Sequence, residues 1–588
     1  MMRYFLTGFL ICLFGLGSAP AWADAFSDGK RFVQKKQYAK AVEAFKKGAE
    51  KGDARSAYAL GRMYALGEGV DTNRSESAVW LEQAAQKEHA GAQYLLGAMY
   101  FDGVGVSQDD EKALFWMRES ADNGFAEAQY ALGRMYATGH GVLRDGAESA
   151  AWYKKAAGNG HVEAQIALGA AYAAGRGVGK NDEESVAWYQ KAAAAGDAQG
   201  QRYLGAMYAA GRGVEKDFQA AFDWYKKAAL QGDAIAQRNL GILYATGRGV
   251  DKNFEEAEYW YHKAALQEDA RAQYGLGALY ARGAGVEKDE ARAVSWYRKA
   301  ARQNLPDAQY ALGLMFANGR GVRKNGQQAA YWYEKAAEQG YARAQYNLGL
   351  MYDMGQGIEQ DAEKASMWLV KAAENKVKEV EPYVAFRYAQ GIGMKADDAK
   401  AAHWYEKAAE RGDVKSQYNI AVMYLWGRGV TRDDEKAAYW YKKAADQGDF
   451  RSQHSLGALY EEGRGVQQSY DIAAMWYARA AATENARAQR ELYGKERPVP
   501  AGDVTEDSEE DGGKKVIEKR VFTPAAPQDS KPAADAAGAV KKTGSKTATS
   551  GSKAASKSKA ASSPKKSKPR TTKSAQQKKQ ARSRSKKR

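Results

Sequence analysis

The chain has a single cysteine, Cys12, and it lies inside an apolar run over 5–16. That run is shorter than the ~18–20 apolar residues a membrane-spanning helix needs. Arg3 precedes it, and Ser18-Ala19-Pro20-Ala21-Trp22-Ala23 follows, ending in the small-x-small form of a signal-peptide cleavage site. We therefore expect residues 1–23 to be a cleavable signal peptide, cut between Ala23 and Asp24. The mature chain, with no transmembrane span, would be periplasmic or secreted. More apolar residues follow Cys12, whereas a lipidated cysteine would close such a run, so lipoprotein processing is not expected. Removal of Cys12 leaves no thiol, which excludes disulfides, thiolate zinc sites and cysteine nucleophiles together.

Histidine is scarce as well. The six, His89, His140, His161, His262, His403 and His454, form no i, i+4 pair and stand in no carboxylate spacing of a metal site, so they read as surface residues. There is no Gly-x-Ser-x-Gly elbow. Gly-x-Gly recurs, yet without the third glycine and the preceding strand of a dinucleotide fingerprint. Asn73-Arg74-Ser75 fits a glycosylation sequon once, at the rate chance would give. The chain carries ten prolines, and Pro306 and Pro382 are the ones that bear on its regular part.

What is abundant is repetition. Trp80, Trp116, Trp152, Trp188, Trp224, Trp260, Trp296, Trp332, Trp368, Trp404, Trp440 and Trp476 are each thirty-six residues apart. Glycine pairs keep the same step, from Gly67 and Gly69 to Gly463 and Gly465. In the stretch 128–160, Ala128, Leu132, Met135 and Tyr136 form one apolar helical stripe, and Ser149, Trp152, Tyr153 and Ala156 form another. Gly139 suits the left-handed position after the first helix. Asp145 is placed to cap the second, with Glu148 three residues on completing a capping box. Three residues past each hinge valine, or its Ile358 or Met394 substitute, a capping residue recurs: Asn73, Asp109, Asp145, Asn181 and so on to Asp433 and Ser469. Units of two helices that cannot bury their own stripes must stack, which predicts an all-α solenoid. The glycine after leucine, as in Gly133 or Gly313, costs ~1 kcal/mol in a helix interior and predicts close approach by a neighbouring aromatic ring.

The blocks A-Q-Y-x-L-G-x-M-Y, G-x-G-V and W-Y-x-K-A-A, in register at a period of thirty-six, resemble the Sel1-like repeat family, relatives of the tetratricopeptide repeat. The resemblance covers roughly 25–493. It implies a right-handed α/α superhelical solenoid, here of about thirteen helix-pair repeats, used as a protein-interaction scaffold without catalysis of its own. On that basis we expect no enzyme, no catalytic residue, no cofactor and no metal.

The expected organisation is a signal peptide at 1–23, an atypical capping repeat at 24–52, the solenoid at 53–493, an acidic and mixed linker at 494–530 and a basic tail at 531–588. In the capping repeat Phe32, Tyr38, Val42 and Phe45 supply a helix pair joined by Lys35-Lys36-Gln37 instead of the glycine hinge. One unit departs from the pattern: Pro382 replaces the tyrosine, Val384-Ala385 the leucine-glycine pair, and Arg387 a methionine or leucine. Proline there predicts a kink or a shifted helix start, and with it a bent or weakened joint; Pro306 falls in a helix's first turn and predicts neither.

Comparison among units shows which first-helix positions the scaffold leaves open, spaced i, i+4, i+7, i+11. By analogy with tetratricopeptide arrays these line the concave groove. Candidate partner-binding residues are Arg202, Tyr203, Arg238, Asn239, Arg282, Asn347, Tyr383, Asn419 and Trp426. Arg202 and Arg238 replace a tyrosine, Tyr203, Tyr383 and Trp426 add rings where small residues are commoner, and arginine and aromatic anchors dominate interface energetics. The asparagine amides could hold a peptide backbone.

From 531 onward there is no aromatic residue, and nineteen Lys or Arg stand against Asp535 alone, a net charge of +18. The whole chain carries +16, so the remainder is close to neutral. Such a composition cannot bury a core and predicts disorder. Polycations bind polyanions by counterion release. We expect an exported, non-catalytic scaffold whose groove takes a protein or peptide, such as a wall-remodelling enzyme, and whose tail tethers to an anionic envelope polymer. The alternative is a secreted effector that binds host proteins through its repeats and whose tail binds nucleic acid or directs nuclear entry.

Overall fold

A computed structural model describes residues 23–493, which hold 26 α-helices, one 3₁₀ turn and no strand. The predicted leader, the acidic linker at 494–530 and the basic tail at 531–588 lie outside the described residues, the first but for Ala23. The capping pair, Ala23–Gln34 and Tyr38–Glu50, turns at Lys35-Lys36-Gln37, with Lys36 in the left-handed region at φ 56°. Twelve helix pairs follow, numbered here as units 1 to 12, whose first helices begin at thirty-six-residue steps from Ala54 to Phe450, save in unit 10.

Unit 3 shows why these residues make this shape. Its first helix, Ala126–Thr138, ends where Gly139 takes φ 76°, and its second, Gly146–Gly158, starts where the Asp145 carboxylate accepts the N–H groups of Ala147 and Glu148 at 2.8 and 3.1 Å. Glu148 does not complete a capping box. The Asp145 N–H donates instead to the Tyr136 carbonyl at 3.0 Å, because the hinge folds the cap back over the last turn of the first helix. The same capping recurs from Asn73 to Ser469. Backbone donors hold the Asp109, Asp361 and Asp397 carboxyls below their ordinary range.

The glycines mark three different close approaches. The first hinge glycine needs positive φ. The second has positive φ too, and it lies against the start of the preceding unit's second helix: a Cβ on Gly321 would run into the Glu290 carbonyl. In seven units the glycine after leucine leaves room for the tyrosine that follows the tryptophan, as where a Cβ on Gly313 would sit 2.6 Å from the Tyr333 ring; in units 1, 2 and 9 it faces Leu81, Met117 and Leu369.

Units are joined by side chains as well as by packing. Trp260 shares one buried cluster with its own Leu240 and with Phe222 and Tyr225 of the unit before. The buried glutamine of the A-Q block is a three-way link. Gln237 donates to the Ala229 carbonyl at 3.1 Å, and its own carbonyl accepts from Gln267 at 2.8 Å; Gln273, Gln309, Gln345 and Gln417 repeat the arrangement with partners thirty residues on. Beside it, the residue between the hinge glycines reaches the first residue of the preceding second helix, as Arg320 does to Glu290 at 2.8 Å. At Asp434, hydrogen bonds from Arg432 and Arg464 bring the carboxyl down to about 2. Stability from such a group is present above the ordinary carboxylate pKa and is lost as pH falls through the folded value.

Unit 10 is irregular where expected. A 3₁₀ turn, Lys378–Val380, precedes a short first helix, Glu381–Gln390, so Pro382 sits in the first turn and the helix starts late instead of kinking. The glutamine link persists there as a charged pair, Glu381 with Arg411 of the same unit.

Candidate protein-binding face

The first helices present one half-open stripe in every unit. Its middle two rows carry little charge: at the i+4 position no unit has an ionisable side chain other than Tyr203 and Tyr383, and at i+7 the charged residues are Arg62 and Arg134. Within units 9 to 11 the stripe carries exposed apolar side chains. Met354, Tyr383 and Phe386 are about two-fifths exposed, and Trp426 reaches 69%. Leu350 and Val422, half-buried, fill in beside them. Single exposed apolar residues are ordinary, but a cluster across three consecutive helices is the pattern of an interaction surface.

The nine residues singled out from the sequence fall into three groups. Tyr383 and Trp426 lie on this exposed cluster, with the Tyr383 hydroxyl donating to Asp353 at 2.6 Å. Partial burial first, then the hydrogen bond to Asp353 and its charge, pushes the Tyr383 phenol up to about 12. Arg282, exposed, ends its helix in unit 7.

Arg202, Tyr203 and Arg238 are built into joints between units. Arg202 donates to Asp233 at 3.0 Å and lies 4.4 Å from the Tyr203 ring, which stacks on Tyr189. Arg238 donates to Asp269 at 2.9 Å. Other units fill the same joint with ring pairs thirty-one residues apart: Tyr58 stacks on His89, Tyr130 stacks on His161, and Tyr310 is tilted against Tyr341. His89 and His161 are thus not plain surface residues. Each is half-buried and caps a first helix through Nδ1, and burial lowers its pKa.

The asparagines form the third group. Asn239 stands at Tyr225, Asn419 at Tyr405, and Asn347, only 5% exposed, at Tyr310 and Tyr333. Asn347 therefore faces the scaffold, not a peptide. Sequence reasoning counted the i+7 row among the open ones but did not single out Phe386, because alanine is common at that register. The signal was there: Ile242, Leu314, Leu350, Phe386 and Val422 stand where earlier units keep alanine or arginine.

Among the described residues no group of three or more His, Cys, Asp or Glu is placed to hold a metal ion, and no helix is long and apolar enough to cross a membrane.

Stacked helix pairs with a periodic core and one open helix face define an α-solenoid of the interaction-scaffold type. Family comparison makes this specific: the Sel1 repeat matches thirteen times, at 11–53, 54–89 and onward in steps to 383–413, 414–449 and 451–482, and the chain belongs to the Sel1 repeat family. Among solved structures it is similar to a protective antigen present in uropathogenic Escherichia coli strains displaying an SLR fold, with 33% identity, 73% of this chain and 99% of that chain covered, and a TM-score of 0.51. A Sel1 repeat protein from Oxalobacter formigenes shares 32% identity over 58% of this chain and 89% of its own, with a TM-score of 0.38. Among curated proteins, none matches. Sel1 repeat proteins are generally protein-interaction scaffolds and mostly non-catalytic.

Proposed function

We propose that this chain is an exported scaffold that holds a protein or peptide on its first-helix face, and that its basic tail tethers it to an anionic envelope polymer. The observation that carries the binding site is the exposed apolar cluster of Met354, Tyr383, Phe386 and Trp426 on three consecutive helices. A photo-reactive residue at Phe386 is expected to capture the same partner as one at Trp426, and one at Glu82, on a second helix, to capture none. Phe386→Ala and Trp426→Ala, with unchanged helicity, should each weaken that partner by roughly thirtyfold, as loss of a central aromatic anchor does. Equal capture from Glu82 would remove the face from consideration.

Export and tethering support one another through the sequence: the leader-like start and the +18 tail suit a protein held at an anionic surface outside the cytoplasm. Cell fractionation should return a mature chain beginning at Asp24, held on envelopes in a salt-sensitive way. A chain ending at Ser530 should lose that retention. A cytoplasmic chain with Met1 intact counts against export, and unchanged retention counts against the tail.

A further inference from the structure

Ten consecutive units place a lysine or arginine three residues after the tryptophan, from Lys155 to Arg479. The ammonium groups of Lys155, Lys191 and Lys227 lie 3.6, 3.7 and 3.9 Å from the indole beneath them, which fixes their positions. One such cation per unit near a helix C-terminus complements the helix dipole and needs no further reason. In units 8 to 11 the excess is balanced locally: Lys335 pairs with Glu338 at 3.2 Å, Lys442 with Asp446 at 2.9 Å, and Glu374 and Glu410 occupy the same last turn.

Units 3 to 7 do the opposite. Their second helices end in Lys154-Lys155, Lys226-Lys227 and Arg298-Lys299, with Lys191, Lys263 and Arg302 between and beyond. Of these only Lys155 has an acid within ion-pair distance among the described residues, Asp122 at 4.0 Å. In the adjoining turns, the carboxylates of Asp233 and Asp269 are already neutralised by Arg202 and Arg238, which leaves Asp197 and Glu268 as the acids beside nine cations. Within this basic row two leucines end consecutive second helices: Leu230, 68% exposed, and Leu266, 66% exposed. At that register other units hold Gln86, Asp122 or Glu338, so the scaffold does not call for leucine.

We propose that this edge, the C-terminal turns of the second helices in units 3 to 7, docks on an anionic lipid bilayer surface. The row is made of helix ends and tight turns, which offer a peptide no groove. It holds one exposed ring, Tyr259, too few for the stacking a single-stranded nucleic acid would use. Lysines on apolar stems with protruding leucines between them match a headgroup layer, where the cations meet phosphate and the leucines enter the interface. The edge acts apart from the tail and from the first-helix face.

The test uses the mature chain from Asp24, which has no cysteine of its own, with one introduced, Leu266→Cys, carrying an environment-sensitive dye. Vesicles of mixed phosphatidylglycerol and phosphatidylcholine with nitroxide-labelled lipid should quench the dye, and vesicles of phosphatidylcholine alone should not. The same dye at Glu374→Cys, the equivalent register of unit 9, should stay unquenched. Lys226→Glu/Lys227→Glu/Lys263→Glu, with helicity intact, should shift the lipid titration at Leu266→Cys by roughly a hundredfold, while tail-driven sedimentation of the chain persists. Equal quenching at both registers would mean that the tail alone brings the chain to lipid. A dye response to soluble polyphosphate with none to vesicles would assign the edge to another polyanion. Either result, or quenching untouched by the charge reversals, overturns the proposal.

Discussion

Gly321→Ala is expected to destabilise the array by about 3 kcal/mol and to split its unfolding, whereas Gly340→Ala should cost about 1 kcal/mol and leave one transition. Both glycines have positive φ, 65° and 84°, so both substitutions carry the left-handed penalty of a side chain. They differ in what the new methyl meets. At Gly340 there is open space; at Gly321 the methyl would overlap the Glu290 carbonyl and the Ala291 amide of the preceding unit. Backbone cannot rotate away as a side chain can, so the two units must separate. In a solenoid each unit is held mainly by its neighbours, and a weakened joint in mid-array uncouples the halves. Urea unfolding followed by helicity reads both effects, and hydrogen exchange should rise around Glu290 in Gly321→Ala alone. Equal losses at the two glycines would show that φ, not contact between units, sets the need for the second hinge glycine.

That joint separates what could be read in the residues from what could not. The helix pairs, the caps from Asn73 to Ser469 and the left-handed hinge glycines depend on chemistry within a few residues, and the period multiplies each weak local signal twelvefold. The contact between Gly313 and the Tyr333 ring follows from the same unit and was also foreseeable. Pairings between different registers of adjacent units were not. Aligning units on their period compares Arg202 with Tyr58 and Tyr130, and the arginine then looks like a free surface variant. Its meaning lies thirty-one residues on, where Asp233 replaces the histidines that stack under those tyrosines. Glu381 and Arg411 replace a glutamine and its amide partner in the same way. The exposed cluster was half legible: Tyr383 and Trp426 stood out as large residues among small ones, while Phe386 stood on an open row whose frequent alanines drew no attention to it. The charge contrast between the second-helix ends of units 3 to 7 and those of units 8 to 11 needed the fold, because only stacking sets those ends side by side.

Asp353→Ala is expected to cost about 3–5 kcal/mol, and Arg387→Met about 1 kcal/mol or less. Arg387 is 2% exposed at a position where other units bury methionine or leucine. Its guanidinium is held by the Asp353 carboxylate of the preceding unit, by Ser366 Oγ at 2.7 Å and by the Ala362 carbonyl at 2.9 Å. Deleting Asp353 strands a cation that cannot reach water. Deleting the cation with a side chain of suitable length leaves Asp353 with the Tyr383 hydroxyl and partial access to solvent. The double variant Asp353→Ala/Arg387→Met should therefore recover most of what Asp353→Ala loses, a coupling that a double-mutant cycle in urea measures directly. Unit 10 also meets the unit before it through a shortened helix, and the ion pair crosses that same interface. If Arg387→Met proves as costly as Asp353→Ala and raises hydrogen exchange over 378–390, the pair is a strut that replaces the missing helical turn. If it is neutral, packing alone holds the joint, and the ion pair's remaining consequence is to fix Tyr383 on the exposed cluster through their shared Asp353.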